Sequence, residues 1–239
     1  MVEDPTGVNG MTDDADLPLK NVYCEERENK FQQKGTVLWI TGLSGAGKTT
    51  LTKLLEKKFS NFTISISHTT RKPRPNETDG KDYFFVNENQ FQKLINEDFF
   101  LEFSKIFNNY YGTAKNSVLE KINNGLNVLF DIDWQGTRQL KKKIKDIKLI
   151  TVFILPPDIQ TLKQRLVNRD QSGKQIAEQR MKKFKEELSH WSDYDYVVVN
   201  NDLRACYNEI LEIIKGEENN KKYLFDKSKI SQLINQLSK

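Results

Sequence analysis

The chain has 239 residues, 37% hydrophobic and 10% aromatic, enough for one substantial core carrying tails. Its 37 basic residues against 33 acidic ones leave a net charge of +4, which suits small anionic ligands and is too slight to argue for nucleic acid. No run approaches the ~18 apolar residues of a membrane span, the acidic N-terminus does not read as a signal peptide, and Cys24 and Cys206 make neither a disulfide framework nor a metal spacing. The expectation is a cytoplasmic protein that uses neither nucleic acid nor membrane.

Residues 1–34 are polar and aperiodic and read as a loosely ordered extension. Periodic signal begins with Thr36 to Ile40, a short β-rich run of the buried-strand type, followed by a glycine-rich turn and by Leu51, Leu54, Leu55 and Phe59 at helical spacing. Phe62 to Ser67 alternates as a half-buried strand, and Arg71 to Gly80, with two prolines and several charges, reads as a loop. Aromatic β-type runs at Tyr83 to Val86 and Phe99 to Phe107, around a helical pattern at Phe91, Leu94 and Ile95, make residues 68–113 a small, mostly β insertion.

Alternation of helix and strand then resumes. The spacing predicts a helix at Ser117 to Ile122, a strand at Asn127 to Ile132, a helix ending at Leu140 to Ile144 and a strand at Leu149 to Leu155. Helical patterns at Ile159 to Asn168 and Lys174 to His190 flank a polar stretch; a strand at Val197 to Val199 and a helix at Leu203 to Ile214 follow. Such alternation implies an α/β fold with a parallel sheet in a three-layer arrangement. Past Gly216 the chain is lysine- and asparagine-rich until Ile230, Leu233, Ile234 and Leu237, which share one helical face suited to docking on the body or on a second subunit. The division expected is a core of 35–67 and 114–215, an insertion, a helical lid at about 157–190, and a C-terminal extension from 216.

Gly42, Leu43, Ser44, Gly45, Ala46, Gly47, Lys48 and Thr49 fit G-x-x-x-x-G-K-[ST], between a strand and an amphipathic helix. Glycines let the backbone wrap an anion and turn N–H groups inward, and the helix start adds its positive end. Lys48 suits β- and γ-phosphates and the Thr49 hydroxyl suits Mg²⁺, with Thr50 alongside. A coincidental glycine turn is the bland alternative, and the motif says nucleoside triphosphate without saying which reaction.

Ser67, His68, Thr69, Thr70, Arg71, Lys72, Pro73, Arg74 and on through Glu77 to Tyr83 resemble the acceptor-binding signature of guanylate kinases. The resemblance continues through Phe99 to Phe103, Asn109 to Thr113, Asp131 to Gly136, the arginines Arg165, Arg169 and Arg180, and Tyr196 to Asp202, covering about residues 35–215. It implies ATP-dependent phosphorylation of GMP, and of dGMP, with Mg²⁺ as cofactor. It places the GMP phosphate on Ser67, Arg71, Arg74, Tyr83 and Tyr111, and two guanidinium forks with hydroxyls are a chemically apt clamp for a phosphomonoester. It gives guanine to Glu102 and Thr113; a carboxylate accepts from N1–H and the 2-amino group together, whereas adenine would leave it unpaired.

By the same resemblance Asp133 lies by the base and the metal's water shell with Asp131 nearby, Asn200 lies close to adenine, and Arg165, Arg169 and Arg180 close over the transferring group. Lys48, Arg71 and these three arginines are the expected catalytic set. Leu43 stands where relatives often carry proline, and Thr113 where many carry serine. A scaffolding module of similar fold would show a degraded cradle, a kinase for another acceptor would leave Glu102 idle, and a GTPase would need an N-K-x-D run that the chain lacks. A monomer is expected, a dimer being left open by the C-terminal face.

Overall fold

The computed structural model describes residues 35–106, 108–145, 147–169 and 184–238, with the backbone alone at 168 and 169. The expected extension at 1–34 and residues 170–183 of the expected lid lie outside the described residues. Five strands, β1 (Val37–Gly42), β2 (Phe62–Ile64), β7 (Asn127–Phe130), β8 (Leu149–Leu155) and β9 (Tyr196–Val199), form one sheet in the order β2-β7-β1-β8-β9, every pair parallel. Every residue of β1 and β7 is buried. Consecutive residues of a strand point to opposite faces, so unbroken burial means that both faces are covered, as the apolar runs predicted.

Helices α1 (Lys48–Lys58), α3 (Lys115–Asn123) and α6 (Leu203–Glu218) pack against this sheet. The order reverses beside β1, and at such a switch point the crevice beyond the C-terminal strand ends is left free for a ligand. Helix α5 (Ile159–Arg169) and a helical stretch at 184–189 flank the undescribed part of the expected lid.

The insertion folds as a second, mixed sheet in the order β4-β3-β6-β5, built from β3 (His68–Thr69), β4 (Phe84–Phe85), β5 (Phe100–Ile106) and β6 (Asn109–Ala114). Helix α2 (Glu88–Asn96) starts in a capping box between Asn87 and Gln90, and its Phe91 stacks on Phe100 at 4.6 Å and Tyr110 at 5.3 Å. The strands at His68 and Asn109 were not separately predicted, and Phe62 to Ser67 yields a strand only to Ile64.

Helix α6 runs through Gly216, where the sequence suggested an end. The returning chain lies against that glycine: Lys221 N–H donates to Gly216 O at 2.7 Å, and a Cβ would strike the Lys221 carbonyl. Helix α7 (Lys227–Leu237), capped by Asp226, buries Ile230 and Leu237 in the main core, with Leu233 and Ile234 packed beside them. Its apolar face therefore docks on the body of its own chain.

Candidate active site

A cleft of about 930 Å³ opens beyond the C-terminal ends of β1 and β7. Gly42, Ser44, Gly45, Gly47, Lys48, Thr49 and Thr50 line one part of it, and Arg71, Arg74, Tyr83 and Tyr111 line another. Asp131, Asp133, Arg165 and Asn200 also line it.

The loop after β1 turns through left-handed backbone at Gly45 (φ 88°) and Gly47 (φ 98°), conformations that a side chain resists. Gly47 is the N-cap of α1 and offers no side chain to cap it, and the helix start at Lys48, Thr49 and Thr50 lines the cleft, the place where a helix suits an anion. Asn200 lies so close that a Cβ on Gly47 would strike its Nδ2, which donates to Ala46 O at 2.7 Å. The Asn200 carbonyl in turn accepts two bonds from the Arg165 guanidinium, both at 3.2 Å. Asn200, directly after β9, thus braces the loop and ties it to α5. Ala46 is fully buried, and it is its backbone carbonyl that Asn200 holds.

Lys48 Nζ donates to Gly42 O at 2.7 Å and stands 3.9 Å from Asp131 Oδ1. Thr49 Oγ1 donates to Asp131 Oδ2 at 2.6 Å. Asp131, given only a neighbouring place in the sequence reading, is therefore the carboxylate that meets the loop. The pairing of β7 with β1 (Trp39 opposite Phe130) carries it there. Asp133 caps α4 (Trp134–Lys143) instead, accepting from Gly136 N–H at 3.2 Å and from Gln135 Nε2 at 3.2 Å.

On the insertion side, Glu77 had been given no role and organises both arginines. Arg71 Nη2 donates to Glu77 Oε1 at 2.9 Å, Arg74 Nη1 stands 3.7 Å from the same oxygen, and the Arg74 amide donates to Glu77 Oε2 at 2.8 Å. Arg71 also lies over the Tyr83 ring, 5.3 Å from its centre. Burial, with Asp131 nearby, pushes the Tyr83 hydroxyl up to about 12, so it stays a donor at any physiological pH.

Ser67, Glu102 and Thr113 are buried and do not line the cleft. Glu102 is 1% exposed and accepts from Thr113 Oγ1 at 2.6 Å. Burial raises its carboxyl to about 8; the Thr113 bond works against the shift and Asp133 adds to it. The side chain of Arg169 and all of Arg180 fall outside the described residues. Among the described residues no helix is long and apolar enough to cross a membrane.

The family model for guanylate kinase matches residues 34–217. A guanylate kinase of Rickettsia prowazekii (strain Madrid E) is 45% identical over 188 residues, 79% of this chain and 94% of that protein. One from Histophilus somni (strain 129Pt) is 42% identical over 207 residues, 85% of this chain and 98% of that protein. The crystal structure of guanylate kinase from Anaplasma phagocytophilum aligns with a TM-score of 0.63 at 29% identity, covering 79% of this chain and 88% of that one. With a phosphate-binding loop and a pair of arginines facing one cleft, and with relatives matched over nearly their full length, the chain belongs to the guanylate kinase family.

Proposed function

We propose that this chain transfers the γ-phosphoryl group of ATP to GMP, giving ADP and GDP. The observation that carries the reading is the shared cleft, in which Lys48 and Thr49 face Arg71, Arg74, Tyr83 and Tyr111. One wall suits a triphosphate and the other a phosphomonoester.

ATP binds with its phosphates in the loop from Gly42 to Thr49, and Lys48 leaves the Gly42 carbonyl to meet the β- and γ-oxygens. Its bond to that carbonyl keeps the ammonium at the loop until then. The GMP phosphate takes up Arg71 and Arg74 with the tyrosine hydroxyls and displaces Glu77, which holds the guanidinium groups in place beforehand. Glu102 and Thr113 receive the guanine edge, and since both side chains are buried in the free protein, binding must expose them.

Thr49 Oγ1 and the Asp131 carboxylate, 2.6 Å apart, are a hard-oxygen pair that fits Mg²⁺, an ion commonly held by one or two side chains plus substrate phosphates. Held by this pair, Mg²⁺ would supply positive charge to offset that of the phosphates. Asp133, capping α4, orients that helix start from a position in the cleft wall.

No general base is required, because a phosphomonoester with its second pKa near ~6 is already anionic at neutral pH. The chain contributes alignment of that oxygen with the γ-phosphorus, cationic side chains around the transferring group, and exclusion of water. Arg165 belongs to this cationic set, and Arg169 and Arg180 are assigned to it on the family pattern alone. Arg74→Ala tests the two-sided reading: KM for GMP should rise about 10- to 100-fold, with KM for ATP nearly unchanged. An equal rise in both would break the assignment of the two walls.

A further inference from the structure

Glu102 stands on β5, the edge strand of the insertion sheet, and helix α4 of the core packs along that edge. Three α4 residues at helical spacing, Gly136, Gln139 and Lys143, meet β5 in turn. Gln139 serves as a one-residue strand: its Nε2 donates to Phe103 O at 2.6 Å, and its Oε1 accepts from Phe103 N–H at 3.2 Å. These bonds satisfy the outward-facing backbone groups of the residue directly after Glu102. Lys143 Nζ donates to Phe100 O at 3.3 Å.

Gly136 meets Glu102 itself. A Cβ there would stand 2.5 Å from Glu102 Oε2 and 3.1 Å from its Cδ, with the Trp39 ring at 3.3 Å closing the other side. The carboxylate therefore occupies space that only glycine leaves open. A bulge between Phe100 and Glu102 shifts the register of β5 so that Glu102 opposes Thr113, and the two Gln139 bonds lie immediately beyond it. Bulges re-aim side chains and need local support to hold one register.

We propose that Gly136 and Gln139 are positioning residues for guanine recognition, with α4 fixing the Glu102 carboxylate from behind while neither residue touches substrate. The inference rests on the reading of Glu102 as the guanine acceptor. It also links the acceptor site to the core: Asp133, at the start of the same helix, lines the cleft, so the guanine reader and the catalytic wall are set by one rigid element.

The test is steady-state kinetics on the full chain with GMP and with IMP, which keeps N1–H and lacks the 2-amino group. Gly136→Ala should raise KM for GMP about tenfold or more, since small misplacements at a site carry penalties of that size. KM for ATP should stay within about twofold, and the preference for GMP over IMP should fall. Gln139→Leu, which keeps side-chain volume at a half-buried site, should shift the same parameters in the same direction and carries the test alone if the alanine variant does not fold. In a Glu102→Gln background each substitution should lose most of its effect on KM for GMP.

Should Glu102→Gln leave the GMP-over-IMP preference at its wild-type value, the base-reading assignment falls, and this inference with it. A change with Glu102→Gln, but none with Gly136→Ala or Gln139→Leu, overturns the positioning role alone. So does an equal rise in KM for ATP and GMP, or an undiminished effect in the Glu102→Gln background.

Discussion

Glu102 is the residue whose chemistry most constrains the account. Its buried carboxyl, raised to about 8, favours the neutral acid in the folded protein. The sign follows: stability from that neutral form is fully present below the ordinary carboxylate value and is lost as pH rises through about 8. In the proposed site Glu102 meets guanine N1–H and the 2-amino group, both donors, so bound GMP would favour the ionised form. Binding at pH 7 should release roughly one proton per GMP through this group, and affinity should improve as pH rises toward 8. Calorimetry in two buffers of different ionisation enthalpy counts the proton; Glu102→Gln should abolish it, and an equal release from both proteins would separate the carboxyl from guanine binding. The role proposed for Glu102 rests on resemblance, because in the sequence a glutamate amid aromatic strand residues looks like an ordinary exposed charge. Gly136 and Gln139 gave still less signal, since a glycine and a glutamine on a basic helix look like a solvated face until β5 is laid against it.

Among elements, the strands were legible where burial is continuous and obscure where it is not. The runs of β1, β7 and β8 are almost wholly apolar because both faces are covered, and each appears where the pattern put it. Strand β3 is two residues long and β6 mixes asparagine, tyrosine and glycine, so neither carries a period. The end of β7 shows what sequence could not resolve. Two carboxylates, Asp131 and Asp133, follow the same apolar run, and only pairing with β1 decides that Asp131 meets Thr49 while Asp133 turns to cap α4. From that division, Asp131→Asn should raise the Mg²⁺ concentration for half-maximal rate about 10- to 100-fold, and Asp133→Asn should leave it nearly unchanged. Titrating magnesium at saturating nucleotides checks this, and the reverse ranking would return the metal to Asp133.

At the scale of the molecule, a parallel sheet carries the glycine-rich loop at one strand end, and a separate mixed sheet carries Glu102 on β5 and the arginines in the segment between β3 and β4. The two sheets touch through α4 and through Lys53 on α1, which pairs with Asp82 of the insertion at 3.2 Å. This division was visible in the sequence, because a helix–strand rhythm is interrupted once by an aromatic β-rich segment. The docking of α7 was visible only as an unpartnered apolar face; its partner, the core around α6, is known only once the chain has turned back at Lys221. An isolated helix of that length is marginal in water, so the buried contacts of Ile230 and Leu237 give it its order. The most direct test of the account is product formation by the full chain given ATP, Mg²⁺ and one nucleoside monophosphate at a time. GDP should form with GMP, with discrimination against AMP on the order of 10⁴-fold; failure to make GDP, or comparable turnover of AMP, would contradict it.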